Sequence, residues 1–274
     1  MAYSKGKTAV ITGAGSGIGR ALAQQLNREG CKLLLSDIDP KGLEGTLQSL
    51  ERADVTAESQ ILDVSDKSAV HTWAEDIAAK QHSVDIMINN AGVALMASVE
   101  ESEYADIEWM MSINFWGVVY GTKAFLPLLR NSPQGHLVNV SSIFGIVGIP
   151  SQSAYNAAKF AVRGFTEALR HELAGSNVHV CCVHPGGIKT NIARNGRTNN
   201  ASMTADQRGA NFEKIAGTTA QSAAKEIVSA IEKHKIRLLI GNDARLLSLL
   251  SRLFPVNYSR FIPGLRKSVV SLSS

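Results

Sequence analysis

Cysteine is scarce in this 274-residue chain: Cys31 and the neighbours Cys181 and Cys182 are the whole complement. The number is odd and no metal-ligand spacing links them, which argues against a disulfide framework and a cysteine metal centre. All three lie in apolar, strand-like runs, so they read as small buried hydrophobes kept reduced, and a cytoplasmic setting is expected. No metal is expected. No apolar run is long enough to cross a bilayer, and the first residues, Met1 to Lys7, lead into a strand pattern without a secretory leader. The formal charge is only +4 with no dense Lys/Arg block, so nucleic acid is not an expected partner. Repeats, low-complexity tracts and linkers are also missing, and residues 1–274 read as one domain.

What is present is alternation. Short apolar runs at 8–12, 31–36, 61–62, 84–88, 137–140, 178–183 and 236–240 alternate with helical patterns at 18–28, 40–52, 67–81, 104–130, 155–174 and 220–233. Seven strands separated by helices predict an α/β fold of the Rossmann type: a doubly wound, seven-stranded parallel sheet with helices on both faces. Ligands of such sheets sit at the carboxyl ends of the strands. The polar stretch 188–219, with Arg194, Asn195, Gly196, Arg197, Asn199 and Asn200, breaks the pattern and predicts an irregular lid. The tail, 243–274, opens with an amphipathic, basic run from Ala244 to Phe254. It suits packing on its own core or a sister subunit, a cover over a substrate, or peripheral contact with a membrane surface.

Thr12-Gly-Ala-Gly-Ser-Gly-Ile-Gly19 joins the first strand to the first helix. Glycine lets a ligand approach the backbone, and the free N–H groups of a helix start suit a pyrophosphate. The turn lacks the Lys-Ser or Lys-Thr of a nucleoside triphosphate loop, since Arg20-Ala21 follow it. It also lacks the commoner Gly-x-Gly-x-x-Gly, because Ile18 stands at the third glycine; the spacing is that of Gly13, Gly17 and Gly19. Asp37 ends the second strand, where a carboxylate accepts adenosine ribose hydroxyls and repels a 2′-phosphate. A cation that would welcome that phosphate is missing: Ser16 and Ile38 hold the places. NAD is therefore expected ahead of NADP, while Asp37 also suits capping of the helix near Pro40.

Ser142 lies at the end of a strand, and Tyr155 and Lys159 are one helical turn apart, on one face. With the glycine turn, Asn89-Asn90-Ala91-Gly92 and Ser142…Tyr155-x-x-x-Lys159 in order, residues 7–190 resemble the short-chain dehydrogenase/reductase family. The resemblance implies that Gly13, Ser16, Gly17, Ile18, Gly19 and Asp37 hold the dinucleotide. It further implies that Asp63-Val64 meet the adenine, that Asn90, Ala91 and Gly92 line the ribose side of the cleft, and that Pro185, Gly186, Ile188 and Thr190 hold the nicotinamide end. Asn114 then holds a water in a proton relay. Ser142, Phe144, Tyr155 and Gly187 border the substrate. His184 is a mild departure at a variable position.

Free tyrosine titrates near ~10 and is a poor base at neutral pH. A nearby ammonium, together with the positive nicotinamide ring, favours the phenolate, so Lys159 is expected to make Tyr155 a general acid/base while Ser142 holds the substrate oxygen. The residues expected at the cleft edge, among them Val93, Ala94, Leu95, Ile143 and Ile149, are apolar. They favour a hydrophobic secondary alcohol or ketone. Rival readings are an acyl-thioester or aldehyde reductase on the same residues, and a non-catalytic NAD-binding sensor or scaffold. The resemblance also implies a homodimer or homotetramer through the helices at 104–130 and 155–174. His71, His82, His136, His171, His179 and His234 show no triad or metal pattern and read as ordinary residues. Trp116 reads as pointing into a helix interface.

Overall fold

Thr8–Thr12 (β1) is five consecutive buried residues. A strand with no wet face needs cover on both sides, and the rest of the chain supplies it. In this computed structural model, which describes residues 3–198 and 203–261, β1 leads to Gly17–Arg28 (α1), Lys32–Asp37 (β2), Pro40–Gln48 (α2), Ala57–Ile61 (β3), Lys67–Lys80 (α3) and Ile86–Asn89 (β4). Tyr104–Met111 (α4), Gly117–Asn131 (α5), Gly135–Val140 (β5), Ser153–Glu172 (α6) and Val178–Pro185 (β6) follow. Ala205–Ile215 (α7), Ala220–Glu232 (α8), Arg237–Ile240 (β7) and Asn242–Leu253 (α9) complete the order.

The seven strands form one sheet in the order β3-β2-β1-β4-β5-β6-β7, every neighbour pair parallel. Side chains alternate across it. Ala9 and Ile11 of β1 join Leu22 and Leu26 of α1 and Ile227 and Ile231 of α8 on one face. Val10 joins Trp73 of α3, Phe125 of α5 and Leu169 of α6 on the other. The winding reverses between β1 and β4, so the loops that leave these strands part and open a crevice at their carboxyl ends. Each chemistry-bearing residue singled out in the sequence lies at or near that edge.

Several boundaries differ from the sequence reading. The helix expected over 40–52 stops at Gln48. Ser49 Oγ donates to Thr46 O at 2.7 Å, and the Asn27 side chain takes both the N–H and the carbonyl of Arg52. β3 starts at Ala57 rather than Ile61; four of its five residues are exposed, so this edge strand carries no apolar run. The helix expected over 104–130 is interrupted by a π-turn at Ser112–Trp116, with Asn114 in its middle. Trp116 is 46% exposed and stacks on Tyr120 instead of entering a helix interface of this chain.

The described residues of the expected irregular lid hold regular elements. Ile188–Lys189 pairs with Thr218–Thr219, Arg197–Thr198 pairs with Leu95–Met96, and α7 opens with a capping box between Thr204 and Gln207. α7 buries none of its residues, which is why no apolar periodicity announced it. Asn199 and Asn200, with the tail beyond Phe261, lie outside the described residues.

Candidate active site

The glycine turn is held from three sides. Gly13 and Gly17 take φ of +66° and +51°, a region that favours glycine. A Cβ on Gly19 would come within 2.0 Å of Gly13 O, so no side chain fits there without moving the turn. Asn90 Nδ2 donates to Thr12 O and Gly13 O at 2.9 and 3.1 Å, and Thr12 Oγ1 accepts from the N–H groups of Asn90 and Ala91. Asn90 thus pins the turn with its side chain. Ser16 precedes α1 in extended conformation, and its hydroxyl makes no capping bond. Ile18 packs against the core beneath.

Asp37 reaches back across the crevice. Its Oδ2 accepts from Gly15 N at 2.7 Å and its Oδ1 from Asp39 N at 3.0 Å. The cap of α2 is Asp39, which accepts from Lys41 N. A cation does stand nearby, unnoticed in the sequence reading. Arg20 donates to Gly15 O, Gly42 O and Thr46 Oγ1, so its guanidinium is engaged by the protein itself. An amide-rich turn at the positive end of a 12-residue helix, with a carboxylate on the next strand, is a donor and acceptor set that fits a dinucleotide.

Farther along this edge, Asp63 lies two residues past β3 and accepts from Ser65 N and Oγ at 2.9 and 2.7 Å. Val64 is buried against Gly117, where a Cβ would meet its Cγ2 at 2.8 Å. Gly92 is exposed and adjoins two functional candidates. A Cβ there would sit 3.0 Å from Asn114 Oδ1 and 3.4 Å from Lys159 Nζ. Asn114 is fully buried and bonds Val93 in both directions, Oδ1 accepting from its N–H and Nδ2 donating to its carbonyl. The π-turn therefore fixes the segment after β4 against the helix.

Ser142, Tyr155 and Lys159 converge. Ser142 follows β5 in extended conformation and accepts from Phe144 N at 3.1 Å. The turn that begins there carries the chain to α6, whose first turns bear Tyr155 and Lys159, both buried. The Ser142 hydroxyl acts on the Tyr155 phenol in the direction that favours its anion. Lys159 Nζ donates to Val140 O at 3.1 Å and lies 5.7 Å from the Tyr155 ring centroid. Phe144 meets the same ring edge-to-face at 6.1 Å.

Burial dominates the electrostatics of the pair: it pushes Tyr155 up to about 12, the Ser142 hydroxyl acting the other way. Burial also pushes Lys159 down to about 8. Two units on the phenol amount to roughly 3 kcal/mol against its anion. Burial thus favours the neutral phenol, and the Lys159 ammonium is turned to the Val140 carbonyl.

The loop after β6 is tied to the tail. Gly187 N donates to Asp243 Oδ2 at 2.7 Å, and a Cβ on Gly186 would strike that carboxylate at 2.3 Å. Thr190 lies over the glycine turn, its Cγ2 3.0 Å from where a Gly17 Cβ would be. The Ile188 side chain is buried in the core. Ala94, Leu95 and Ile143, expected at the cleft edge, are also buried. Tyr258 clamps the loop after Ser142, accepting from Gly148 N at 2.8 Å and donating to Gly148 O at 3.2 Å. Ala244 and Leu247 of α9 pack on Ile143 and Val147, so the tail packs partly on its own core.

The sequence alone did not point to Asp243 or Tyr258, and it noted His184 without its contact with Ser142. The Gly241-Asn-Asp after the last strand was the available signal for the first, with Gly241 at φ +93°. His184 is fully buried, with Nδ1 3.0 Å from Ser142 O. Facing a carbonyl, that nitrogen carries the proton; Nε2 has no partner among the described residues. Burial pushes this histidine down to about 4, so it supports Ser142 as a neutral ring. Arg197 is engaged by Asp106 at 2.8 Å and lies over the Trp109 ring at 3.8 Å, and Arg194 meets Asp206 at 3.4 Å. His136, His179 and His234, read as ordinary, come together at the other end of the sheet.

Comparison with known proteins agrees with this geometry. The profile of the short chain dehydrogenase family matches residues 7–201. SadH of Mycobacterium tuberculosis, whose name goes no further than oxidoreductase, is 46% identical over 266 residues, covering 96% of each chain. A 3-ketodihydrosphingosine reductase of Bacteroides thetaiotaomicron is 36% identical over 186 residues, 68% of this chain and 65% of that one. Among solved structures, a short chain dehydrogenase/reductase of Burkholderia phymatum in complex with NAD superposes with a TM-score of 0.81 at 31% identity, covering 92% of this chain and 95% of its own.

Proposed function

The chain belongs to the short-chain dehydrogenase/reductase family of oxidoreductases, and we propose that it transfers hydride between NAD(H) and a hydrophobic secondary alcohol or ketone. The observation that carries this reading is the convergence of Ser142, Tyr155 and Lys159 beside the glycine turn, at the point where the sheet winding reverses.

Bound NAD supplies the hydride acceptor and a positive ring charge. The chain does the rest. The amides of the glycine turn take the pyrophosphate, and Asp37 takes the adenosine ribose. Arg20 is spent on backbone carbonyls, which leaves the carboxylate to set the preference for NAD over NADP. Ser142 Oγ donates to the substrate oxygen, and Tyr155 Oη takes the hydroxyl proton of the alcohol or returns it to a ketone. Lys159 holds the nicotinamide ribose and adds its charge once that pocket is filled. Asn114 links it to solvent through water. Phe144 and Gly187 border the substrate with apolar surface. The ketone-reductase name of the Bacteroides relative supports the same substrate class. Exposed Trp116 on the π-turn and Phe160 on α6 suit the homo-oligomer common in this family.

Assay of NADH formation across secondary alcohols of increasing chain length tests the reading. Turnover rising with apolar size supports it, as does NAD outperforming NADP. Firm NAD binding without turnover on the whole panel would instead favour a cofactor-binding sensor.

A further inference from the structure

Six of the fourteen large apolar side chains that stand exposed among the described residues fall within residues 246–261: Leu246, Leu249, Leu253, Phe254, Val256 and Phe261, between 44% and 83% exposed. Leu246, Leu249 and Leu253 are spaced i, i+3, i+7 on α9 and form one stripe. The opposite side of the same helix is already in use, with Ala244 and Leu247 on the core. This helix therefore has two apolar faces, and among the described residues only one is covered. The ring of Phe254 lies 5.1 Å from that of Phe261, which extends the stripe past the helix end.

Charge says what the second face fits. From Ala244 to Ser274 the sequence holds Arg245, Arg252, Arg260, Arg266 and Lys267 and no aspartate or glutamate. Arg245 pairs with Glu226; Arg252 and Arg260 meet no carboxylate among the described residues. Pairing two copies through this patch about a two-fold axis would set these cations against one another. An anionic surface with an apolar interior matches both features at once. We propose that the face formed by Leu246, Leu249, Leu253, Phe254, Val256 and Phe261 docks onto anionic lipid, with Arg252 and Arg260 at the headgroups. Tyr258 on Gly148 and Asp243 on Gly187 tie the docked segment to the two loops that border the site. The proposal does not depend on the enzymatic reading.

Co-sedimentation of the full chain with phosphatidylcholine vesicles, with and without phosphatidylglycerol, tests it. Binding is expected only where the anionic lipid is present, weakening as salt rises. Leu246→Ser/Leu249→Ser/Leu253→Ser alters exposed positions only, and it should lower binding by at least about tenfold. The independent pair Arg252→Gln/Arg260→Gln should lower it roughly fivefold for each arginine. Equal binding to both vesicle types, no binding, or binding indifferent to both variants overturns the proposal. So does concentration-dependent self-association, read by sedimentation velocity, that the leucine variant abolishes in the absence of vesicle binding.

Discussion

At the carboxyl end of β5 and the start of α6, burial pushes Tyr155 up to about 12 and Lys159 down to about 8; at the amino ends of β5 and β6 it pushes His136 down to about 3 and lowers His179. The shifts share a cause, and the surroundings differ. The histidines stack on one another, His136 on His179 and on His234 with centroids 5.2 Å apart, and His179 on His234 at 4.3 Å. Tyr3 closes the group, its hydroxyl donating to Gln134 Oε1 and lying 2.6 Å from His136 Nε2. At the other end the ammonium is held by one carbonyl and the phenol ring meets Phe144 edge-to-face, beside exposed Gly92 and the glycine turn. A displaced pKa alone does not mark a catalyst. The winding of the sheet decides which end receives a ligand.

Removing the phenol should separate the two ends most sharply. Tyr155→Phe is expected to lower turnover about 10³-fold with NAD binding retained, while His136→Asn leaves turnover within a small factor. Steady-state kinetics and nucleotide titration read both. Next in size is Gly19→Ala, which drives a methyl into Gly13 O and should cost about 3 kcal/mol of stability or abolish nucleotide binding. Gly164→Ala, in α6 with open space around it, is the control and should stabilise by up to about 1 kcal/mol in a thermal melt.

The histidine end should appear in stability rather than rate. His136 titrates lower folded than unfolded, so the unfolded chain binds the extra proton first. Stability is intact above about pH 6.5 and is lost as pH falls below it, by roughly 2 kcal/mol at about pH 5 from this residue alone. Denaturant melts across that range should show the slope, and His136→Asn should flatten it. Smallest is Arg197→Ala. This half-exposed pair and its contact with Trp109 contribute about 1 kcal/mol at most. The change should speed hydrogen exchange at 190–198 and raise KM more than it lowers kcat.

The sheet was legible because β1, β4 and β5 are wholly buried and read as continuous apolar runs. The glycine turn and the Ser142, Tyr155 and Lys159 spacing were legible because they are local. The extent of β3 and the whole of α7 were not, since an exposed edge strand and a helix with no buried face leave no period to read. Asp243, Tyr258 and the histidine stack were hidden for another reason. Asp243 acts 56 residues from Gly187, and Tyr258 acts 110 from Gly148. Long-range pairing is set by topology, and a single sequence does not print it. Spacing shows that a lysine is near Tyr155, whereas the burial of the phenol depends on everything packed around it and is not printed in the sequence.

The pH dependence of kcat/KM for alcohol oxidation tests the central claim most directly. The account predicts a wild-type profile governed by a basic group ionising well below the value of about 12 toward which burial pushes the Tyr155 phenol, and loss of that limb in Tyr155→Phe. A phenylalanine variant that keeps both the rate and the profile would contradict it.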